Sequence, residues 1–150
     1  MPDLKQQLRD DLTTAMKARD ELRTATLRMV LAAVSAEEVA GKAARELSDD
    51  EVQGVLRREA KKRREAAEAF GGAGRAEQAT RELAEGEVLA VYLPAQLDDA
   101  DLAAIVADAV TGTGASSMKD MGRVMGAAQA VVAGRADGSR LAAEVRRQLA

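Results

Sequence analysis

Apolar residues return every three or four positions along almost the whole chain, and nowhere do they alternate with polar ones over the length of a strand. That rhythm belongs to helices with one buried face and predicts no sheet. The first segment, from about Asp3 to Arg19, carries Leu4, Leu8, Leu12, Ala15 and Met16 on one stripe. Pro2 precedes it, where a missing N–H does no harm, and Asp3 can cap it. A second segment, capped by Asp20, reaches Ala40 with Gly41 as its stop. Leu22, Ala25, Met29, Ala32, Ala36 and Val39 step along it, and Leu27, Val30, Leu31 and Val34 widen the apolar arc. A helix this apolar on several sides should have neighbours on more than one flank.

Ser48-Asp49-Asp50-Glu51 reads as a capping box that opens a third helix ending near Phe70. Val52, Val55, Leu56, Ala60, Ala67 and Phe70 form its apolar face. Arg57, Arg58, Lys61, Lys62 and Arg64 gather on the opposite side, interleaved with Glu59, Glu65 and Glu68. Arg63 falls on the apolar side, so it must lay its stem along the core edge or pair with a carboxylate. Gly71-Gly72-Ala73-Gly74 breaks the chain. A fourth helix follows from about Arg75 to Val91, with Ala76, Ala79, Leu83 and Ala90 on one face. Tyr92-Leu93-Pro94 ends it, because the residue before proline resists helical geometry.

Beyond that boundary, Asp98 or Asp99 caps a fifth helix carrying Leu102, Ile105, Val106, Ala109 and Val110. Thr111-Gly112-Thr113-Gly114 closes it. Ser116 or Ser117 caps a sixth, along which Met118, Met121, Met125, Ala128 and Val132 are spaced as a buried stripe, and Gly134 stops it. Asp137 caps a seventh with Leu141, Val145 and Leu149 inward. The reading is an all-α protein: an N-terminal four-helix lobe over 1–93 and a three-helix C-terminal lobe over 94–150.

Composition narrows the chemistry. Of 150 residues, 47% are hydrophobic but only 1% aromatic, so the core must come from Ala, Leu, Val and Met. Such residues pack well between close helices. Cysteine and histidine are both absent, which removes disulfides, thiolate chemistry and Ser-His or Cys-His catalysis, and argues against zinc or copper. No cofactor or metal is expected. The net charge of −3 exerts no global pull on nucleic acid. Residues 97–150 hold six cations and seven anions, so any anion-binding surface must be local. No membrane-length apolar run and no signal-peptide pattern occur, which makes a soluble, cytoplasmic protein the expectation.

The stretch from Gly114 to Gly126 holds the best candidate surface. A helix N-terminus with Ser116 and Ser117 suits a phosphate, and Lys119 and Arg123 lie one turn apart on one face. Gly122 and Gly126 would let a backbone approach closely, whether RNA or another helix. The plainer reading is a capped helix whose glycines seat a neighbouring helix. Arg135 can meet the carbonyls ending the sixth helix, pair with a carboxylate, or contact a phosphate. Thr111-Gly112-Thr113-Gly114 lacks the Gly-Lys-Ser/Thr ending of a nucleotide loop and follows a helix.

At Lys119-Asp120-Met121-Gly122-Arg123-Val124-Met125-Gly126 and Gly134-Arg135-Ala136-Asp137-Gly138 the sequence resembles the GatB/YqeY family. Leu27-Arg28-Met29-Val30-Leu31-Ala32-Ala33 and Tyr92-Leu93-Pro94-Ala95-Gln96-Leu97 match as well, and the order and lengths are similar to a stand-alone YqeY-like protein. The resemblance implies a C-terminal lobe similar to the tail of GatB, a subunit of the glutamine-dependent aminoacyl-tRNA amidotransferase, where that tail helps hold tRNA. It implies association with carbon–nitrogen ligase activity using glutamine as amido-N-donor, but GatB's catalytic body has no counterpart here. The expectation is a non-catalytic tRNA-associated adaptor, contacting tRNA through Ser116, Ser117, Lys119, Arg123 and Arg135. The alternatives are a module that docks another protein on the small-residue face of helix 117–133, or an accessory amidotransferase subunit.

Overall fold

The computed structural model describes residues 3–150, so Pro2 lies outside the described residues. Among these are seven α-helices and no strand. In order they are α1 (Leu4–Lys17), α2 (Glu21–Glu38), α3 (Asp49–Gly72), α4 (Ala76–Ala90), α5 (Asp99–Thr113), α6 (Met121–Val132) and α7 (Gly138–Leu149), with a 3₁₀ turn at Met118–Asp120. The chain divides into two compact units between Leu93 and Pro94.

Side-chain caps explain most of the helix starts. Asp3, Asp20, Asp98 and Asp137 each accept a backbone N–H from three residues on, satisfying one of the donors a helix start leaves unpaired. Ser48 and Glu51 close both arms of a capping box at α3. The stops differ from the sequence reading. α2 ends at Glu38, before Ala40 and Gly41, because the Glu38 carboxylate takes Lys5 Nζ at 2.7 Å and the Leu47 N–H at 3.1 Å, turning the chain there. α3 runs through Gly71 and Gly72; only Gly74, at φ 75°, takes the left-handed conformation that ends the hairpin to α4.

In the first unit, α3 packs along α4 and α1 along α2 around Leu8, Leu27, Val30, Val34, Leu47, Val52, Val55, Leu56, Val88, Leu89 and Tyr92. The Tyr92 hydroxyl donates to Asp11 at 2.5 Å, which ties the end of α4 to α1; burial and that carboxylate push the phenol well above its ordinary value. Two expected faces are rotated. On α2 the buried arc is Thr26, Leu27, Val30 and Val34, while Met29 and Val39 are exposed. On α4 it is Glu85, Val88 and Leu89, and Leu83 is 55% exposed.

The α4 rotation has an electrostatic cause. Arg63 of α3 does lie at the core edge, and carboxylates surround it: Glu59 at 3.4 Å, Glu85 at 3.1 Å and Glu82 at 3.7 Å. Glu59 and Glu85 are themselves buried, and Lys62 and Arg81 balance them from outside. A buried guanidinium without these partners would be costly, so α4 turns its glutamates toward α3.

In the second unit α5, α6 and α7 each pack on the other two. Their core is Leu102, Val106, Ala109, Val124, Ala128, Val132, Ala136, Leu141, Val145 and Leu149. Val124 takes the central place expected of the methionines: Met121 and Met125 flank the core and Met118 is exposed. The Leu97 N–H donates to Arg135 O at 2.8 Å, and Arg140 reaches Leu97 O and Asp99, each at 3.0 Å. These bonds fix the segment ahead of α5.

Candidate functional site

α5 ends in a turn with Gly114 at φ 66°, and the chain reverses through Ala115, Ser116 and Ser117. Ser117 caps the 3₁₀ turn rather than α6, its Oγ accepting the Lys119 N–H at 3.3 Å. α6 proper begins at Met121, so Lys119 stands on the 3₁₀ turn and Arg123 in the first turn of the helix. Both are exposed.

Asp120, which the sequence reading passed over, organises this corner. Its Oδ2 accepts the Ser116 N–H at 3.0 Å and its Oδ1 accepts Arg123 Nη2 at 2.5 Å. The Ser116 amide and then the Arg123 guanidinium hold its carboxyl below the usual carboxylate range. Arg123 also donates to Thr113 O at 3.1 Å. The chain's own carboxylate therefore occupies the amide position at which a phosphate was expected. The signal was present in the sequence, since an acid three residues after a capping serine is a recurrent helix-start device.

Cationic reach remains beside it. Lys119 is exposed and its ammonium has no partner among the described residues. The Arg123 side chain is 60% exposed despite its bonds. A Cβ built on Gly122 or Gly126 meets nothing within 4 Å, so these glycines do not seat a helix of this chain. Ala130 continues that open face, whereas Ala127 and Val131 line a groove with Ile105, Ala109 and Gly112 of α5.

Arg135 is not brought to the same place. α6 has 12 residues and is about 18 Å long, and Arg135 lies past its far end. There its Nε donates to Val132 O at 3.1 Å and its Nη2 to Val131 O at 3.0 Å, closing the helix. This is the capping role among the three considered, and it explains Ala133 at φ 49° as a helix end held by a side chain.

The basic face of α3 is laced with ion pairs: Arg58 with Glu37, Lys61 with Glu65 at 3.9 Å, and Lys62 with Glu59 at 3.1 Å. Among the described residues no three acidic groups converge as a metal site would require, and no helix is long and apolar enough to cross a membrane.

The family model for Yqey-like protein matches residues 5–149. The chain belongs to this family. The match spans both units. No curated protein matches the chain.

Proposed function

We propose that this Yqey-like protein is a non-catalytic tRNA-associated adaptor, with residues 1–93 as an N-terminal four-helix lobe and 94–150 as a C-terminal three-helix lobe of GatB/YqeY type. The observation that carries the reading is the open glycine face of α6 beside two exposed cations. Gly126 lies inside a helix and costs roughly 1 kcal/mol relative to alanine, yet nothing in the chain packs against it. A close external backbone explains what internal packing does not. Lys119 and Arg123 border the glycines and would meet phosphates, positioning tRNA by shape and charge rather than by base sequence. Ser116 and Ser117 adjoin them, and Arg135 holds the helix that presents them.

A mobility-shift titration with total tRNA tests this. Binding should weaken steeply as salt rises. Lys119→Glu combined with Arg123→Gln should abolish the shift at moderate salt and leave helical content unchanged. Glutamine is preferred at position 123 because a glutamate would oppose Asp120. A wild-type protein that shifts no tRNA at low salt would sink the proposal.

The same open face favours a second reading, in which a partner helix docks on Gly122 and Gly126. RNase separates the two: a protein partner stays bound after digestion, whereas capture mediated by tRNA is lost. An accessory role in amidotransferase chemistry would require amide formation to depend on this chain within a complex.

A further inference from the structure

The first unit holds a cleft of about 550 Å³ at the end of α1 and the first half of α2, with Arg81 of α4 on its wall. Arg19, Arg28 and Arg81 line it together with Glu21, Thr24 and Met16. Three arginines and one glutamate thus share the lining, and Arg81 also holds Glu85 beside it. Elsewhere among the described residues Arg45, Arg58, Arg63, Arg123, Arg140 and Arg147 each hold an acidic side chain, while Arg9, Arg57, Arg75 and Arg146 stand singly without sharing a cleft with other arginines. In the cleft the fold leaves the charge largely unmatched. The Arg19 side chain has no partner among the described residues. Arg28 reaches only Met16 Sδ, at 3.7 Å. Arg81 holds Glu85 through Nε at 3.1 Å and makes no bond with its terminal nitrogens.

Arg19 carries a second peculiarity. It sits at φ 56°, in the left-handed position that closes α1, where glycine fits with least strain. The closing turn is made by its backbone, through Arg19 N to Met16 O at 3.1 Å and Asp20 N to Ala15 O at 3.0 Å. Nothing in the backbone asks for an arginine there, and its side chain lines the cleft.

We infer that this cleft binds an anionic phosphoryl group. Arg81 already balances Glu85, so Arg19 and Arg28 less Glu21 leave a net lining charge of +1, and the terminal nitrogens of Arg81 add donors for phosphate oxygens. Guanidinium forks pair with tetrahedral oxygens two at a time, and the Thr24 hydroxyl stands on the same wall. The volume lies within the range of small-molecule sites, so the group carrying the phosphate has room. No aromatic side chain lines the cleft, so recognition rests on the phosphate and not on a stacked base. The inference concerns the first unit and does not depend on the reading of α6.

The test is an NMR titration of the arginine Nε–Hε signals in the full chain with inorganic phosphate and pyrophosphate, and with succinate for comparison. Saturable movement of Arg19, Arg28 and Arg81 is expected, stronger for the phosphates than for succinate. Arg28→Gln should weaken binding about tenfold. Glu21→Gln should strengthen it. Arg19→Gly places the favoured residue at a left-handed position, so its loss of binding cannot be blamed on misfolding. Lys119→Glu should leave the titration unchanged, which keeps this result separate from the fate of the tRNA proposal. If Arg28→Gln also weakens the tRNA shift and pyrophosphate competes with tRNA, the phosphate belongs to RNA. If tRNA is indifferent while phosphate binds, a free phosphorylated small molecule is the ligand. Absent saturation, equal titration of the Arg19→Gly and Arg28→Gln proteins, or equal response to succinate would overturn the inference.

Discussion

The most enclosed guanidinium in this protein is held by carboxylates. Arg63 is nearly enclosed, with Glu59 and Glu85 buried against it. Arg63→Ala should destabilise the chain by about 3 kcal/mol or more, because two buried carboxylates lose their counter-ion. Urea unfolding of the full chain measures this. Replacing Glu59, Arg63 and Glu85 together by apolar residues should recover most of the loss, since the desolvation cost then disappears with the charges. Gly126 poses the opposite case. Its Cβ position is empty, so Gly126→Ala should raise stability by roughly 1 kcal/mol. If a tRNA backbone approaches that face, the same substitution should weaken the mobility shift. A gain in stability with unchanged binding would move the contact away from the glycines.

At the scale of the element, the start of α6 shows how a short helix can be displaced by its own side chain. A serine cap was expected to open the helix directly. Instead Asp120 draws the Ser116 amide and Arg123 toward itself, and a 3₁₀ turn intervenes. Asp120→Asn keeps the shape but removes the charge that competes with an incoming phosphate and restrains Arg123. It should raise affinity for tRNA in the mobility shift and shift little in helical content by circular dichroism. Weaker binding in this variant would mean that Asp120 presents Arg123 rather than masks it. On α2 and α4 the element was foreseen but not its orientation. Each carries two arcs of comparable apolarity, and Met29 and Leu83 lie on the arcs that the neighbours left uncovered.

For the molecule as a whole, acid is the informative perturbation. The Arg45 guanidinium beside Glu51 depresses its carboxyl to about 2, and Arg147 with Gln148 does the same to Glu144, also to about 2. Lys5 and the Leu47 amide lower Glu38. In the unfolded chain these glutamates protonate near 4.5. Between the two values the unfolded state binds protons that the folded state refuses, so stability falls as pH drops from about 5 toward 2. With no histidine in the chain, urea midpoints should vary little between pH 6 and 8 and decline steadily in acid. A sharp step near neutrality would contradict this account.

The number and kind of elements, most of their caps, and the end of α4 ahead of Pro94 were legible because they rest on local chemistry: periodicity, a hydroxyl or carboxylate three residues ahead of an amide, a proline's steric demand. Which arc of α2 and α4 turns inward was not legible, because Ala, Leu and Met make several arcs equally acceptable to a neighbour. Only tertiary structure decided that Glu85 should face Arg63 across the α3–α4 hairpin and that the Tyr92 hydroxyl should meet Asp11. Each depends on where a polar group finds a partner distant in the chain, whereas Asp120 and Arg135 find theirs within four residues and were a choice among local partners.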